Sequence, residues 1–342
     1  MSAFADALRR EIADGGPMPL ADYMARANAH YYATRDPIGV GGDFITAPEI
    51  SQMFGELLGL WCADLWLRAG QPPVHLVELG PGRGTLMADM RRAFARFPGL
   101  AETPPLFVET SPALRACQKE RHPDARWHDD VTALPDDRPL LIVANEFFDA
   151  LPIVQHVLTA QGWRLRMVGL DHDRLSLIAG DAVCKQDFTA DIGAIVEHSP
   201  ASIDVMQALA SRLAVQGGAL LAIDYGYAGP AVGDTFQAVR GHRFADPLEA
   251  PGDSDLTAHV DFAALADAAR KAGAVSLGPI IQADLLRALG IDQRATALAR
   301  SNPDRAGALA AQRDRLLAPD QMGTLFKALA ITAPGWPRPT GF

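Results

Sequence analysis

A carboxylate followed by three glycines at alternate positions is a pattern that can hold a ligand through backbone groups. The set follows the apolar run at 74–79 and consists of Glu78, Gly80, Gly82 and Gly84. Glycines in such a turn let the backbone approach a ligand, and the N-terminus of the helix that follows favours polar groups. A dinucleotide fingerprint would need glycine or alanine at position 85, so Thr85 argues against a nicotinamide or flavin cofactor.

The order acid, then Gly-x-Gly-x-Gly, resembles motif I of the class I S-adenosylmethionine (SAM) methyltransferases. The resemblance implies that Glu78 serves the amino acid moiety of SAM. Glu109 ends the next predicted strand, where a carboxylate can accept hydrogen bonds from ribose hydroxyls. Asp130 and Val131 follow the third strand and resemble the adenine site of SAM enzymes. The alternative is that these acids are ordinary turn or helix-terminus residues.

The loop after the fourth predicted strand brings an amide and two carboxylates to the same edge of the sheet. These residues are Asn145, Glu146 and Asp149, with two phenylalanines between the carboxylates. An arginine nucleophile stays protonated because its pKa is about 12.5–13.8. Carboxylates could hold its guanidinium and accept the released proton, so Glu146 and Asp149 are candidate catalytic residues. Alternatively, Asn145 and Asp149 only cap a turn.

The elements that must position these loops alternate between strand and helix. We predict core strands at 74–79, 105–110, 125–128, 139–146 and 217–226, and helices at 2–13, 19–33, 48–69, 85–97 and 202–215. This alternation predicts a parallel sheet covered by helices on both faces, with ligands beyond the carboxyl ends of the strands. Antiparallel strands are predicted at 153–160, 162–170 and 174–179, and mostly helix from 262 onward.

Several stretches together resemble the MidA-like family, also called DUF185 or the respiratory complex I assembly-factor arginine methyltransferases. They lie at 39–59, 76–93, 144–153, 222–227 and 252–262, and the most specific are GGDF-x-T and NEFFDALP. The resemblance implies a class I (Rossmann-like) methyltransferase fold, SAM as methyl donor and ω-nitrogen methylation of arginine. It also implies symmetric dimethylation of a complex I subunit of the 49-kDa type. We expect an N-terminal helical cap at 1–70, a core at 71–245 with a β-rich insert near 153–180, and a C-terminal helical cap at 246–342.

Two further stretches gain roles from this resemblance. The glycine-rich loop that contains Asp43 and Thr46 is expected to cover the cofactor, with both side chains as polar contacts. Asp224 and Tyr225 end the fifth strand and are expected to wall the acceptor site. His259 and Asp261 are predicted to form an acid/base pair near the acceptor, although a lone histidine is more often structural. No HExxH motif or paired histidine is present, so we expect no metal site.

Net charge and cysteine usage limit the possible partners and locations of the protein. The net charge of −10 disfavours nucleic acid as a partner, because phosphate binding needs clustered Lys and Arg. Three widely spaced cysteines exclude a disulfide scaffold. The N-terminal stretch lacks the apolar region of a secretory signal, and no uncharged apolar run reaches the roughly 18 residues of a membrane span. We therefore expect a cytoplasmic protein without a membrane span.

Other functions remain open at this point. The sheet loops alone also permit methylation of a small molecule. A non-catalytic assembly module could keep the same fold and grip a partner's arginine without chemistry. A nicotinamide oxidoreductase is disfavoured because no hydride-site signature accompanies Thr85.

Overall fold

A computed structural model describes residues 2–34, 46–186, 189–229 and 231–342. Its α-helices are α1 Ala3–Gly15, α2 Leu20–Thr34, α3 Ala47–Ile50, α4 Gln52–Arg68, α5 Thr85–Phe94, α6 Pro98–Ala101, α7 Pro112–Arg121, α8 Pro200–Gln216, α9 Phe262–Lys271, α10 Gln282–Ala288, α11 Ile291–Ser301, α12 Ala306–Leu317 and α13 Met322–Leu325. Short 3₁₀ turns occur at Val131–Ala133 and Pro303–Arg305. Side-chain caps fix several helix starts: Ser111 accepts a hydrogen bond from the N–H of Leu114 (3.3 Å) at the start of α7.

Within the described ranges, the strands form a central sheet and two smaller sheets. They are β1 Met18–Pro19, β2 His75–Leu79, β3 Pro105–Val108, β4 Arg126–His128, β5 Leu140–Asn145, β6 Val154–Thr159, β7 Gly162–Asp171, β8 Arg174–Cys184, β9 Ile195–His198, β10 Gly218–Tyr227, β11 Gln237–Arg240, β12 Arg243–Ala245, β13 Asp255–Thr257, β14 Val260–Asp261, β15 Val275–Ile281 and β16 Phe326–Thr332. Within the described ranges, the central sheet runs β15-β16-β10-β5-β2-β3-β4, with β14 beside β10.

The chain reverses its direction across the sheet between β2 and β5. From β2 it proceeds outward to β3 and β4, and it then returns to add β5 on the other side of β2. All of these pairs are parallel, whereas β16 runs antiparallel between β10 and β15. The loops after β2 and β5 therefore flank the topological switch point, where α/β sheets bind ligands.

Apolar side chains fill both faces of the sheet. One core contains α4 and α5 residues such as Phe54, Trp61 and Met90 against the alternate strand residues. The other contains Met206 of α8 and Phe262 of α9. The sheet strands read as nearly continuous apolar runs because both faces are covered. This rigid layer fixes the position of the loops at its carboxyl edge.

The predicted antiparallel region is present and extends further along the chain. Strands β6, β7 and β8 form successive antiparallel pairs, and β9 pairs with β6 beyond the predicted end of the region. Strand β1, which precedes α2, pairs with β7, so this sheet is joined to the N-terminal helices. Strands β11, β12 and β13 form a separate sheet in the order β12-β11-β13.

The largest difference from the predicted elements lies in the C-terminal part. We predicted mostly helix from 262 onward, but β15 and β16 complete the central sheet there. Within this predicted helical region, α10 and α11 are separated at Gly290, which has φ of 89°. The predicted helix from Pro48 to Ala69 is divided at Ser51, whose side chain caps α4 by accepting from the N–H of Met53 (3.3 Å).

Candidate active site

A cavity of about 920 Å³ lies at the carboxyl ends of β2 and β5. This volume is near the upper end for small-molecule sites, so a cofactor and part of a second molecule can share it. Its wall is strongly acidic and contains the carboxylates of Glu49, Glu78, Glu109, Glu146, Asp149 and Asp255. Among the described lining residues, Arg83 is the one Lys or Arg side chain.

The glycine loop joins β2 to α5 in the left-handed conformation that glycine permits. Gly80, Gly82 and Gly84 have φ of 58°, 54° and 74°. A Cβ on Gly84 would also lie 2.9 Å from the ring of His122. A side chain at Gly84 would thus meet both backbone strain and a steric clash.

Glu78 lies buried at the end of β2, beside this loop. Its Oε2 atom has no hydrogen-bond partner among the described residues. Burial raises the pKa of Glu78 well above its usual value, and the N–H of Met87 opposes that shift. A buried carboxylate with a spare acceptor favours a cationic or hydrogen-bond-donating ligand.

Gln118 of α7 joins the glycine loop to Glu109, and sequence reasoning missed it. Its Nε2 donates to the backbone carbonyl of Gly82 (2.6 Å) and to Glu109 Oε2 (3.1 Å), while its Oε1 accepts from Trp127 Nε1 (2.7 Å). Glu109 Oε1 accepts from the N–H of Ser111 (2.8 Å). Burial raises the pKa of Glu109, and these donors lower it. The Gln118 side chain and the N–H of Ser111 together hold the Glu109 carboxylate in one position.

Asp130 and Val131 are not brought to the cavity. The Asp130 carboxylate caps the following 3₁₀ turn and accepts from the N–H groups of Thr132 (2.7 Å) and Ala133 (3.2 Å). Val131 packs into the apolar core beneath the sheet. The adenine-site prediction is therefore not supported by the position of either residue, because both are engaged locally.

Asn145 and Glu146 stand at the end of β5 and line the cavity. Glu146 Oε1 accepts from Asn145 Nδ2 (3.0 Å) and from the N–H of Ala47 (3.1 Å). Burial raises the pKa of Glu146 to about 7, and the nearby Asp149 carboxylate contributes to the rise. Glu146 has φ of 50°, an uncommon value for a non-glycine residue.

Asp149 lies three residues further along the loop and is buried. Its Oδ2 accepts from the hydroxyl of Tyr225 (2.6 Å), whereas its Oδ1 has no partner within the described part of the chain. Burial raises the pKa of Asp149 to about 6. Glu146 and Asp149 are thus brought together, and both carboxylates hold protons more tightly than in water.

Asp224 lies directly beneath this loop and is fully buried. Its Oδ2 accepts from three consecutive N–H groups, those of Phe147 (3.2 Å), Phe148 (3.1 Å) and Asp149 (3.2 Å). Its Oδ1 accepts from the N–H of Tyr225 (3.0 Å). We expected Asp224 and Tyr225 to wall the acceptor site. These hydrogen bonds of Asp224 could not be predicted from the sequence, because they join segments that are distant along the chain.

The predicted pair of His259 and Asp261 does not form. The Asp261 carboxylate caps α9 and accepts from the N–H groups of Ala263 and Ala264 (3.0 Å each). His259 does line the cavity, where its ring packs edge-to-face on Tyr225 with 5.4 Å between centroids. Burial lowers the pKa of His259, which favours a neutral ring. An N-cap preference at Asp261 outweighed the proposed pairing.

Thr46 lines the cavity, and Asp43 lies outside the described residues. Helix α2 closes the same side through Asn28, a residue that sequence reasoning also missed. Asn28 Nδ2 donates to the carbonyls of Ala150 (3.0 Å) and Leu256 (2.7 Å), and its Oδ1 accepts from the N–H of Leu256 (3.0 Å). The N-terminal helices are therefore part of the site.

Comparison with known proteins identifies the cofactor chemistry. A family described as "Putative S-adenosyl-L-methionine-dependent methyltransferase" matches residues 57–280, more than half of the chain. The chain belongs to this family. The protein arginine methyltransferase NDUFAF7 of Danio rerio is 38% identical, with 95% of this chain and 85% of the relative covered. The human NDUFAF7 protein is 36% identical, with 95% and 82% covered.

A solved structure agrees with this membership. A Burkholderia thailandensis protein, crystallised with S-adenosyl-homocysteine (SAH), is 28% identical to this chain with a TM-score of 0.88. The match covers 99% of this chain and 94% of that protein. The fold is thus the class I methyltransferase fold, and the enzyme is a SAM-dependent methyltransferase, as the motifs predicted.

The expected cytoplasmic location is wrong. The curated relatives of the methyltransferase are named mitochondrial proteins. The expectation rested on the lack of a secretory signal and on cysteine usage, neither of which distinguishes one reducing compartment from another. None of the helices in the described ranges combines the length and apolar character needed to cross a bilayer.

The cavity of the methyltransferase fits SAM chemically. The spare acceptor of Glu78 suits the ammonium group of the methionine moiety, whose positive charge would favour the ionised form of this buried carboxyl group. Glu109 keeps free lone pairs after its bonds to Ser111 and Gln118, as hydroxyl donors require. The glycine loop removes side chains where the backbone must approach the cofactor.

Proposed function

We propose that this methyltransferase modifies an ω-nitrogen of arginine on a protein. One observation carries the proposal: Glu146 and Asp149 lie in the same cavity as the glycine loop, with both carboxylates largely withdrawn from water. The name of the curated relatives, protein arginine methyltransferase, supports the same acceptor. The cofactor side is assigned to Thr46, Glu78, Gly80, Gly82, Gly84, Glu109 and Asn145.

The two carboxylates suit a guanidinium in number and geometry. Guanidinium presents five N–H donors in a planar fork and stays protonated at neutral pH. Among the described residues, Glu146 accepts hydrogen bonds through Oε1, from Asn145 and Ala47, and Asp149 accepts through Oδ2, from Tyr225. One oxygen of each carboxylate is therefore available to accept from an incoming side chain. Burial strengthens these charge-assisted hydrogen bonds.

The raised pKa values of the carboxylates suit proton acceptance. SAM supplies the electrophilic methyl group, which is transferred as the C–S bond breaks and the C–N bond forms. The attacking nitrogen must lose one proton, and Glu146, with a pKa of about 7, is a stronger base than an ordinary glutamate. Asp149 and Tyr225 hold the other side of the guanidinium, and the neutral ring of His259 packs behind Tyr225.

The surroundings of the cavity fit a cationic segment of a protein. The acidic wall attracts a positive side chain, and the exposed apolar side chains of Phe244 (80% exposed) and Leu325 (44% exposed) lie at its rim. Apolar side chains around a charged pocket exclude water from the contact. We further propose a complex I subunit of the 49-kDa type as the acceptor and symmetric dimethylation as the outcome.

The test is transfer of labelled methyl groups from SAM to the purified 49-kDa-type subunit, followed by mass spectrometry of its peptides. We expect methylated arginine with the wild-type enzyme and none with Glu146→Gln, which should still bind SAH. Retained turnover in that variant would contradict the assignment of Glu146. Labelling of a small molecule instead of any protein would contradict the protein acceptor.

A further inference from the structure

Asp224 is a buried carboxylate whose hydrogen bonds all lead to the backbone of the acceptor-side loop and its own strand. Its side chain lies in the interior below the loop, and one carboxylate oxygen accepts hydrogen bonds from the backbone N–H groups of Phe147, Phe148 and Asp149. The other oxygen accepts from the N–H of Tyr225. Three convergent N–H groups form an anion-binding concavity, here filled by a side chain of the same chain.

The loop needs such an anchor because its conformation is unfavourable by itself. Glu146 has φ of 50°, in the left-handed region that non-glycine residues avoid. Its N–H donates to the carbonyl of Ile223 (2.9 Å), and the carbonyl of Asp149 accepts from the N–H of Ala258 (3.0 Å). Between these two ends, Asp224 is the partner of every N–H. Without it, two buried N–H groups and one partly buried N–H group would lack an acceptor.

We infer that Asp224 is a positioning residue that aims Glu146 and Asp149 at the acceptor nitrogen by fixing the backbone between them. The inference rests on the proposed function for the roles of Glu146 and Asp149. Asp224 lies below the loop and contributes no atom to the described cavity lining. Its effect on methyl transfer therefore passes through the loop, since a shift of about 1 Å in a reacting group can cost about 100-fold in rate.

Within the described part of the chain, Asp224 has no side-chain cation as a hydrogen-bond or ion-pair partner. Lys327 is its register partner on β16, but the Lys327 ammonium donates to the carbonyls of Thr324 (2.5 Å) and Leu325 (3.1 Å). The carboxylates of Asp149 and Glu146 face Asp224 from the loop and raise its pKa together with burial. Burying this carboxylate is energetically unfavourable, and the four N–H groups that donate hydrogen bonds to it offset that cost.

The test compares Asp224→Asn with Asp224→Leu. Asparagine keeps one oxygen for the loop N–H groups, whereas leucine removes every acceptor at similar volume. With the 49-kDa-type subunit as acceptor, we expect kcat to fall about 10-fold in Asp224→Asn and at least about 100-fold in Asp224→Leu, with a much smaller change in KM. The SAH dissociation constant should stay within about threefold in both.

Amide hydrogen exchange tests the same role of Asp224 without a methyl acceptor. In SAH-bound enzyme, amide hydrogen exchange of Phe147, Phe148 and Asp149 should accelerate in both variants, while that of β5 stays unchanged. Glu56→Gln is a matched control, because Glu56 is another buried carboxylate and pairs with Arg294 (2.8 Å) away from the site. Its kcat should stay within about twofold of wild type.

The outcomes separate this inference from the proposed function. Variants of Asp224 that keep wild-type kcat and slow amide exchange would overturn the positioning role, and so would a loss of SAH binding as large as the loss of kcat. If wild-type enzyme methylates no arginine of the subunit, the proposed acceptor is wrong. The exchange rates would still decide whether Asp224 holds the loop.

Discussion

Glu146→Gln should make the methyltransferase more stable at alkaline pH while removing its activity. Burial raises the pKa of Glu146 from 4.5 to about 7. A group whose pKa is higher in the folded than in the unfolded protein stabilises the folded state when it is protonated. This stabilisation is complete below the pKa of the unfolded state and is lost as the pH rises through the pKa of the folded state. At 1.36 kcal/mol per pKa unit, roughly 2–3 kcal/mol is lost between pH 5 and pH 8.

Glutamine avoids this loss because it carries no charge. Both hydrogen bonds of the Glu146 side chain go to Oε1, from Asn145 and from Ala47, and the amide oxygen of glutamine can keep them. The variant should therefore match wild type more closely at pH 5 and exceed it by roughly 2–3 kcal/mol at pH 8. Urea unfolding with SAH-free protein at the two pH values measures the difference.

A second variant, Glu56→Gln, serves as a control because its stability at pH 8 should change in the opposite direction. Glu56→Gln removes a buried carboxylate that is paired with Arg294, so it should lower stability at pH 8. A Glu146→Gln variant that is destabilised equally at pH 5 and pH 8 would contradict the raised pKa of Glu146. That result would mean that the carboxylate is well solvated or paired in the folded protein.

Three further predictions concern ligand binding. Glu78→Gln should weaken SAH binding by about tenfold, because the ammonium group of SAH loses a carboxyl group that ionises when this cation binds beside it. Calorimetry showing unchanged affinity would contradict this role. Gln118→Leu should weaken SAH binding by a similar factor, because it removes the hydrogen bonds to Gly82 and Glu109. An unchanged dissociation constant would show that the glycine loop keeps its conformation without Gln118. Phe244→Ala should raise KM for the protein acceptor severalfold and leave SAH affinity unchanged; an unaltered KM would exclude Phe244 from acceptor docking.

The sequence was most informative where function depends on a local pattern. The glycine loop follows a strand and precedes a helix within a few residues, so Glu78, Gly80, Gly82 and Gly84 were predictable as a group. Glu146 and Asp149 were predictable for the same reason, because a parallel strand exposes its following loop at the carboxyl edge. Their raised pKa values were not, because burial depends on segments that pack over them.

Residues that act across the fold left no local signal. Asn28 connects α2 to residues 150 and 256, and Gln118 connects α7 to the glycine loop. Both are ordinary amides on helices, and only the assembled fold gives them partners. Asp224 was expected at the wall of the acceptor site, but its three loop N–H partners could not be derived without the loop conformation.

The missed strands have a similar explanation. β15 contains Gly278 and Pro279, which are typical of a turn, and its register with β16 shifts between Leu277 and Ile280. Proline is tolerated there because β15 lies at the edge of the sheet. β16 contains alanines that carry no strand preference. Pairing with β10 and β15 outweighed these local preferences.

In the proposed function, the carboxylates of Glu146 and Asp149 hold an arginine of a protein acceptor beside the cofactor. A crystal structure of the enzyme with SAH and a peptide from an arginine-methylated acceptor tests it most directly. We expect a guanidinium hydrogen-bonded to both Glu146 and Asp149. A peptide bound with its arginine outside the cavity, or with another side chain between these carboxylates, would contradict it.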